Sequence, residues 1–149
     1  MVTKLALAAA SAFLASITAM PAHAGQCPAD QIRVDVPIEG PVESTGVEVI
    51  KGAAIELQAS TGLDGVLQYL RVTIAPGGSL ELHSHDKVPG FAYVLTGTAI
   101  EHRSDCAVAI VRMAGDIATE PSSVTHWWSN ESETPVVLLV SHVVSSGAE

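Results

Sequence analysis

"LHSHDKVPGFAYVLTG", residues Leu82 to Gly97, is the stretch on which the reading of this chain turns. His83 and His85 stand two apart at the entrance to an apolar, aromatic run. On a strand, residues i and i+2 share a face about 7 Å apart along the chain. Two imidazoles so placed can converge on one metal ion at about 2.1 Å each. A pair of solvated surface histidines would look the same. The seven residues after His85 hold one carboxylate, Asp86, and strand alternation turns it away from the histidine face.

The residues around this stretch read as strands. Gly46 to Ala59 is rich in Val and Ile, and Val66 to Ala75 ends at Pro76-Gly77-Gly78, a turn signal. Leu80 to His85, Phe91 to Ile100, Ala107 to Met113, Val124 to Trp128 and Val136 to Val144 follow. Between Gly46 and Ser145 no long apolar pattern recurs at helical spacing. Short strands punctuated by glycine and proline predict an all-β sandwich or barrel over residues 46–149. Residues 25–45, with Pro28, Pro37 and Pro41, read as an extended arm, and there is no internal repeat. A third histidine, His126, lies in "GDIATEPSSVTHWWSN", Gly115 to Asn130.

The first 24 residues read differently. Lys4 supplies a positive start, Leu5 to Ile17 is apolar, and Ala22-His23-Ala24 is a small-x-small cleavage pattern. The expectation is a signal peptide over residues 1–24, a mature chain from Gly25, and a periplasmic or secreted protein. The apolar run is short of the about 20 residues that span a bilayer. An N-terminal core helix is the competing reading, but no polar face recurs at helical spacing. The full chain has a net charge of −9, and loss of Lys4 with the signal leaves six basic against sixteen acidic residues, −10. Such a surface repels phosphate backbones and lacks a basic patch, which argues against nucleic acid and, after signal cleavage, against a membrane. Cys27 and Cys106 are the only cysteines. In an oxidising compartment the pair reads as a disulfide, worth roughly 4–5 kcal/mol by loop closure. Two unrelated thiols are the alternative. With no Cys-x-x-Cys, thiol-redox chemistry is disfavoured.

Two motifs then carry a resemblance. Pro76-Gly77 is followed by five residues, His83-Ser84-His85, four residues, Gly90, six residues, and Gly97. Gly115 is followed by five residues, Pro121-Ser122-Ser123, two residues, His126, three residues, and Asn130. In spacing the chain resembles a small single-domain cupin, with Gly90 where that family carries a glutamate ligand and Ser123 where it carries a glycine. The resemblance covers roughly residues 46–145 and implies a double-stranded β-helix, a jelly-roll barrel. It implies one divalent transition metal held by His83, His85 and His126, with iron favoured among iron, manganese, nickel, copper and zinc. The family includes three-histidine dioxygenases that lack the glutamate, and also members that have lost the metal. Cupins often pair through sheet edges, so a homodimer fits the resemblance.

Without the glutamate, three neutral imidazoles leave the ion its full double charge, which favours an anionic ligand. Asp86 and Glu81 are the candidate substitutes, the first misdirected by strand parity and the second two residues upstream. Tyr69, Arg71 and Thr73 form one polar face. If it looks inward, Arg71 can hold a substrate carboxylate; if outward, it is solvated. Trp128 shares the parity of His126 and either lines the pocket mouth or is core. Tyr93 reads as core, His102 beside Glu101 and Arg103 as surface, and His142 as a core or supporting histidine. The leading functional expectation is a metal-dependent oxygenase of a small anionic or diketone-like molecule. The alternatives are a non-catalytic cupin that binds a small molecule or metal, and a metal-assisted lyase or isomerase with Tyr69 or His142 as general base.

Overall fold

The Val- and Ile-rich runs form eight antiparallel strands in the computed structural model, which describes residues 26–34, 36–58, 62 and 64–145. The expected signal segment, residues 1–24, lies outside them. The strands are β1 (Thr45–Leu57), β2 (Gly65–Ser84), β3 (Gly90–Thr96), β4 (Thr98–Arg103), β5 (Ile110–Met113), β6 (Ile117–Glu120), β7 (Thr125–Ser129) and β8 (Val136–Val144). There is no helix among the described residues. Their hydrogen-bonded order is β5-β4-β7-β2-β8-β3-β6, with β1 added on β2. The sheet curls into a nearly closed jelly-roll barrel. The β5–β6 turn bonds back to the end of β3, with Val94 N–H donating to Asp116 O at 2.9 Å and Gly115 N–H to Val94 O at 2.9 Å.

Two local readings needed correction. Pro76-Gly77-Gly78 does not end a strand, because β2 runs through it and changes partner there. Its first half pairs with β8 over Val66–Ile74, and its last residues, Ser79 to Ser84, pair with β7. Asn130 holds the switch point, since its amide donates to Ile74 O and Thr134 O at 2.9 Å each. The run Phe91 to Ile100 is divided at Gly97, whose φ of +83° and close approach to Pro135 O leave no room for a side chain. Strand β6, four residues long, was too short to stand out as a run.

Alternation sorts the two faces. Val72, Ile74, Ala92, Val94, Ala99, Ala118, Trp128, Val136 and Leu138 turn inward as one cluster. Each large member contributes about 1.5–3 kcal/mol by leaving water. The arm before β1 is tied to the barrel. Cys27 and Cys106 form the disulfide, with Cα atoms 5.8 Å apart. Arg33 N–H donates to Asp105 O at 2.9 Å, and Leu82 N–H to Pro41 O at 2.8 Å.

Candidate metal centre

Strand register brings the three histidines together. His83 on β2 and His126 on β7 are direct cross-strand partners. His85 lies one residue past the end of β2, where its N–H donates to Val124 O at 2.9 Å and turns the chain inward. Each imidazole is oriented through Nδ1. That atom is 2.8 Å from Glu81 O in His83, 2.7 Å from Val88 O in His85, and 2.7 Å from Glu101 Oε1 in His126. A carbonyl or ionised carboxylate only accepts, so each Nδ1 carries the hydrogen and each Nε2 offers a lone pair. Those lone pairs face one another, with His126 Nε2 2.9 Å from His85 Nε2 and 3.1 Å from His83 Nε2. Without a cation between them the three are mutually repulsive. Two nitrogens each about 2.1 Å from one ion and at right angles lie about 3.0 Å apart. The residues therefore fit a divalent transition metal.

Burial prepares the ligands. It lowers the pKa of His85 to about 4, with His126 and His83 adding to the effect and the Val88 carbonyl opposing it. Burial and the neighbouring His126 lower His83 as well. Both rings are thus neutral, the form that binds metal, across the neutral range.

Behind His126 lies a buried ionic cluster. Glu101 is fully buried and accepts from His126, from Arg103 Nη1 at 3.0 Å and from Arg112 Nη2 at 2.6 Å. Burial pushes its carboxyl up, but His126 and the two arginines outweigh that and hold it at about 2. Arg103 also grips Asp105 through two bonds, at 2.7 and 2.8 Å. Carboxylate to histidine to metal is a recurrent way of fixing ring orientation and raising ligand basicity. Glu120, at the end of β6, enters from the other side. Its Oε2 is 3.7 Å from His85 Nε2 and its Oε1 3.8 Å from His126 Nε2. Burial, aided by the Glu101 charge, pushes its carboxyl up to about 8.

On the opposite side the histidines border a cavity of ≈ 270 Å³. Its walls are largely Val49, Leu70, Val72, Leu80, Val88, Ala92, Leu138, Val140 and Trp128, with Glu81, Glu120 and His142 also facing it. Trp128 is buried and edge-on to His126, at 5.9 Å between rings, so it is both core and cavity wall. Arg71 and Tyr69 do not reach the cavity. Leu70, Val72 and Ile74 take the inward parity, and the Tyr69–Arg71–Thr73 face turns outward. Arg71 and Tyr69 are exposed there, with Ile50 and Leu139 as the cross-strand partners of Arg71. Tyr93, expected in the core, is 37% exposed beside Phe91. His142 bonds Gln68 Oε1 at 3.3 Å.

The sequence reading missed Glu101, Arg103, Arg112 and Glu120. Glu101 and Arg103 are both buried; His102 between them, expected at the surface, is half-buried and stacks on Trp127, with ring centres 3.8 Å apart. The available signal was parity. Ala99, Glu101 and Arg103 alternate inward along β4, and Ala99 pairs with Arg112. Asp86 is exposed, and Glu81 is exposed at the cavity mouth, so neither stands in for the family's glutamate.

A family model described as a cupin domain matches residues 70–142. A predicted oxalate decarboxylase from Thermotoga maritima is similar in structure, with TM-score 0.54 and 21% identity, over 76% of this chain and 97% of that one. A Cupin 2 conserved barrel domain protein from Salinispora arenicola matches with TM-score 0.52 and 14% identity, over 80% and 85%. An oxalate oxidase solved with the substrate analogue glycolate matches with TM-score 0.52 and 20% identity, over 66% of this chain and 51% of that one. At these identities the likeness establishes the fold alone. No match is found among curated proteins.

Proposed function

Because this chain belongs to the cupin family, we propose that its metal centre serves an oxygenase that acts on a small molecule, in an exported protein. The observation that carries the metal reading is the convergence of three Nε2 lone pairs, His126 at 2.9 Å from His85 and 3.1 Å from His83, with all three ligand atoms within 4.8 Å of one another. A divalent transition metal there, iron before manganese, nickel, copper or zinc, supplies Lewis acidity and redox chemistry toward oxygen. His83, His85 and His126 hold it. Glu101 keeps the Nδ1 proton of His126 in place and so keeps its Nε2 free for the ion. The cavity receives the body of the substrate and excludes water from it. No lysine or arginine lines that cavity, so an anionic or diketone-like head group meets its positive charge at the metal rather than at a side chain. The walls favour a compact, largely apolar body. With Tyr69 outside the cavity, His142 is the remaining candidate for a general base in a lyase or isomerase.

The export reading rests on the signal-like residues 1–24, and the Cys27–Cys106 disulfide is compatible with it. Intact mass of protein from the export compartment is expected to show a chain starting at Gly25 with no free thiol. Retention of residues 1–24 contradicts it.

Oxygen consumption by iron-loaded protein, measured against a panel of small enolisable diketones, thiols and carboxylic acids, tests the activity. The expected result is uptake with at least one apolar-bodied member, lost in His126→Ala. Tight metal binding with no uptake for any member returns the protein to the class of non-catalytic binding cupins.

A further inference from the structure

Glu120 is a buried carboxylate with an unfilled bond. Its side chain is 4% exposed, and Oε2 has no hydrogen-bond partner. The nearby arginines are engaged elsewhere, Arg112 with Glu101 and Ile117 O, and Arg103 with Glu101, Asp105 and Thr119 O. An ionisable group held in the interior without a partner is costly unless something else completes it. What Glu120 faces is the pair of bare nitrogens on His85 and His126, at 3.7 and 3.8 Å. An oxygen sharing an ion with those nitrogens sits about 3 Å from each, so the approach still needed is under about 1 Å.

Strand register explains why the carboxylate comes from here. Glu120 on β6 is the direct cross-strand partner of Gly90 on β3, and Gly90 is in turn the direct partner of His142 on β8. A Cβ built on Gly90 lies 2.6 Å from His142 Cβ and 2.8 Å from its Cα. Position 90 therefore has no room for a side chain while β8 packs as it does. The row Glu120–Gly90–His142 keeps a carboxylate at the centre but supplies it one strand over.

We propose that Glu120 is the fourth protein ligand of the metal held by His83, His85 and His126. The assignment rests on the three-histidine reading above, and it replaces the expectation of an ion left with neutral ligands only. The bound ion carries one compensating negative charge from protein, and Gly90 marks a relocated ligand rather than a lost one.

The test uses chelator-stripped full-length protein titrated with cobalt(II), followed by visible absorption and by competition with a chelator of known affinity. Glu120→Gln is expected to weaken cobalt(II) at least about tenfold and to change its d–d spectrum. Asp86→Asn, at an exposed position, leaves affinity and spectrum as in wild type. Cobalt(II) bound by Glu120→Gln with affinity within about twofold of wild type and the same spectrum overturns the assignment and leaves the three-histidine site standing. Wild-type protein that takes up no cobalt(II) overturns the three-histidine reading, and this assignment with it.

Discussion

The two sides of the three histidines are built from opposite materials. One side is a cavity walled by Leu70, Val72, Leu138, Val140 and Trp128. The other is a dry cluster of charges, Glu101, Arg103 and Arg112, each 5% exposed or less, while Glu120 lines the cavity beside the histidines. Burying such ions rarely adds stability, since desolvation offsets most of their attraction, while apolar burial is favourable throughout. A barrel of this size gains nothing in folding from the ionic side that leucines would not provide. The difference teaches a division of labour. The ionic side fixes the tautomer and direction of His126 and sets the charge around the ion. The apolar side leaves space and keeps it dry.

Breaking the ionic side is expected to have the largest effect. Glu101→Gln leaves Arg103 and Arg112 short of their shared carboxylate and frees the Nδ1 side of His126. Unfolding free energy is expected to fall by about 3–5 kcal/mol in a denaturant titration. Metal affinity is expected to fall about 10–100-fold. The pH dependence follows from the same residue. Glu101 is held at about 2 when folded, below its ordinary value of 4.5. A depressed carboxyl adds stability above its unfolded pKa and loses it as pH falls through the folded one. Wild-type stability should therefore decline between about pH 4.5 and pH 2, and Glu101→Gln should flatten that decline.

An intermediate effect comes from the apolar side. Leu138→Ala removes a core side chain that also walls the cavity, at a cost of about 2–5 kcal/mol. Metal affinity should change by less than about threefold, because no ligand or its hydrogen-bond partner is touched. A metal loss as large as that of Glu101→Gln would erase the distinction between the two sides. The smallest effect is expected for Arg71→Ala, on the outer face. Stability should move by no more than about 0.5 kcal/mol, and metal content and oxygen uptake should match wild type. A fall in uptake would bring Arg71 back as a substrate-binding residue.

The histidines were legible because spacing encodes them. His83 and His85 share a strand parity, and His126 follows at the interval expected of the second motif. The all-β class was legible from alternation, the jelly-roll barrel from the resemblance its two motifs carry, and the disulfide from a lone cysteine pair. The carboxylates were not legible, for a physical reason. Glu101 and Arg103 carry the composition of a solvated strand, and their burial depends on Arg112 arriving from β5 and His126 from β7. Glu120 becomes meaningful only once β6 is known to pair with β3 at Gly90. Cross-strand register is a property of the folded sheet, and local patterning does not report it. The face of Tyr69 and Arg71 was ambiguous for the same reason, until Leu70 and Val72 were seen to turn inward.

The central claim is that three neutral imidazoles converge to hold one ion. Stripped wild-type protein and His126→Ala, dialysed side by side against cobalt(II) and analysed for metal per chain, test it most directly. The account predicts one ion per chain in wild type, and loss of that ion in the variant while its cysteines remain bridged. Equal occupancy in the two proteins, or none in wild type, contradicts it.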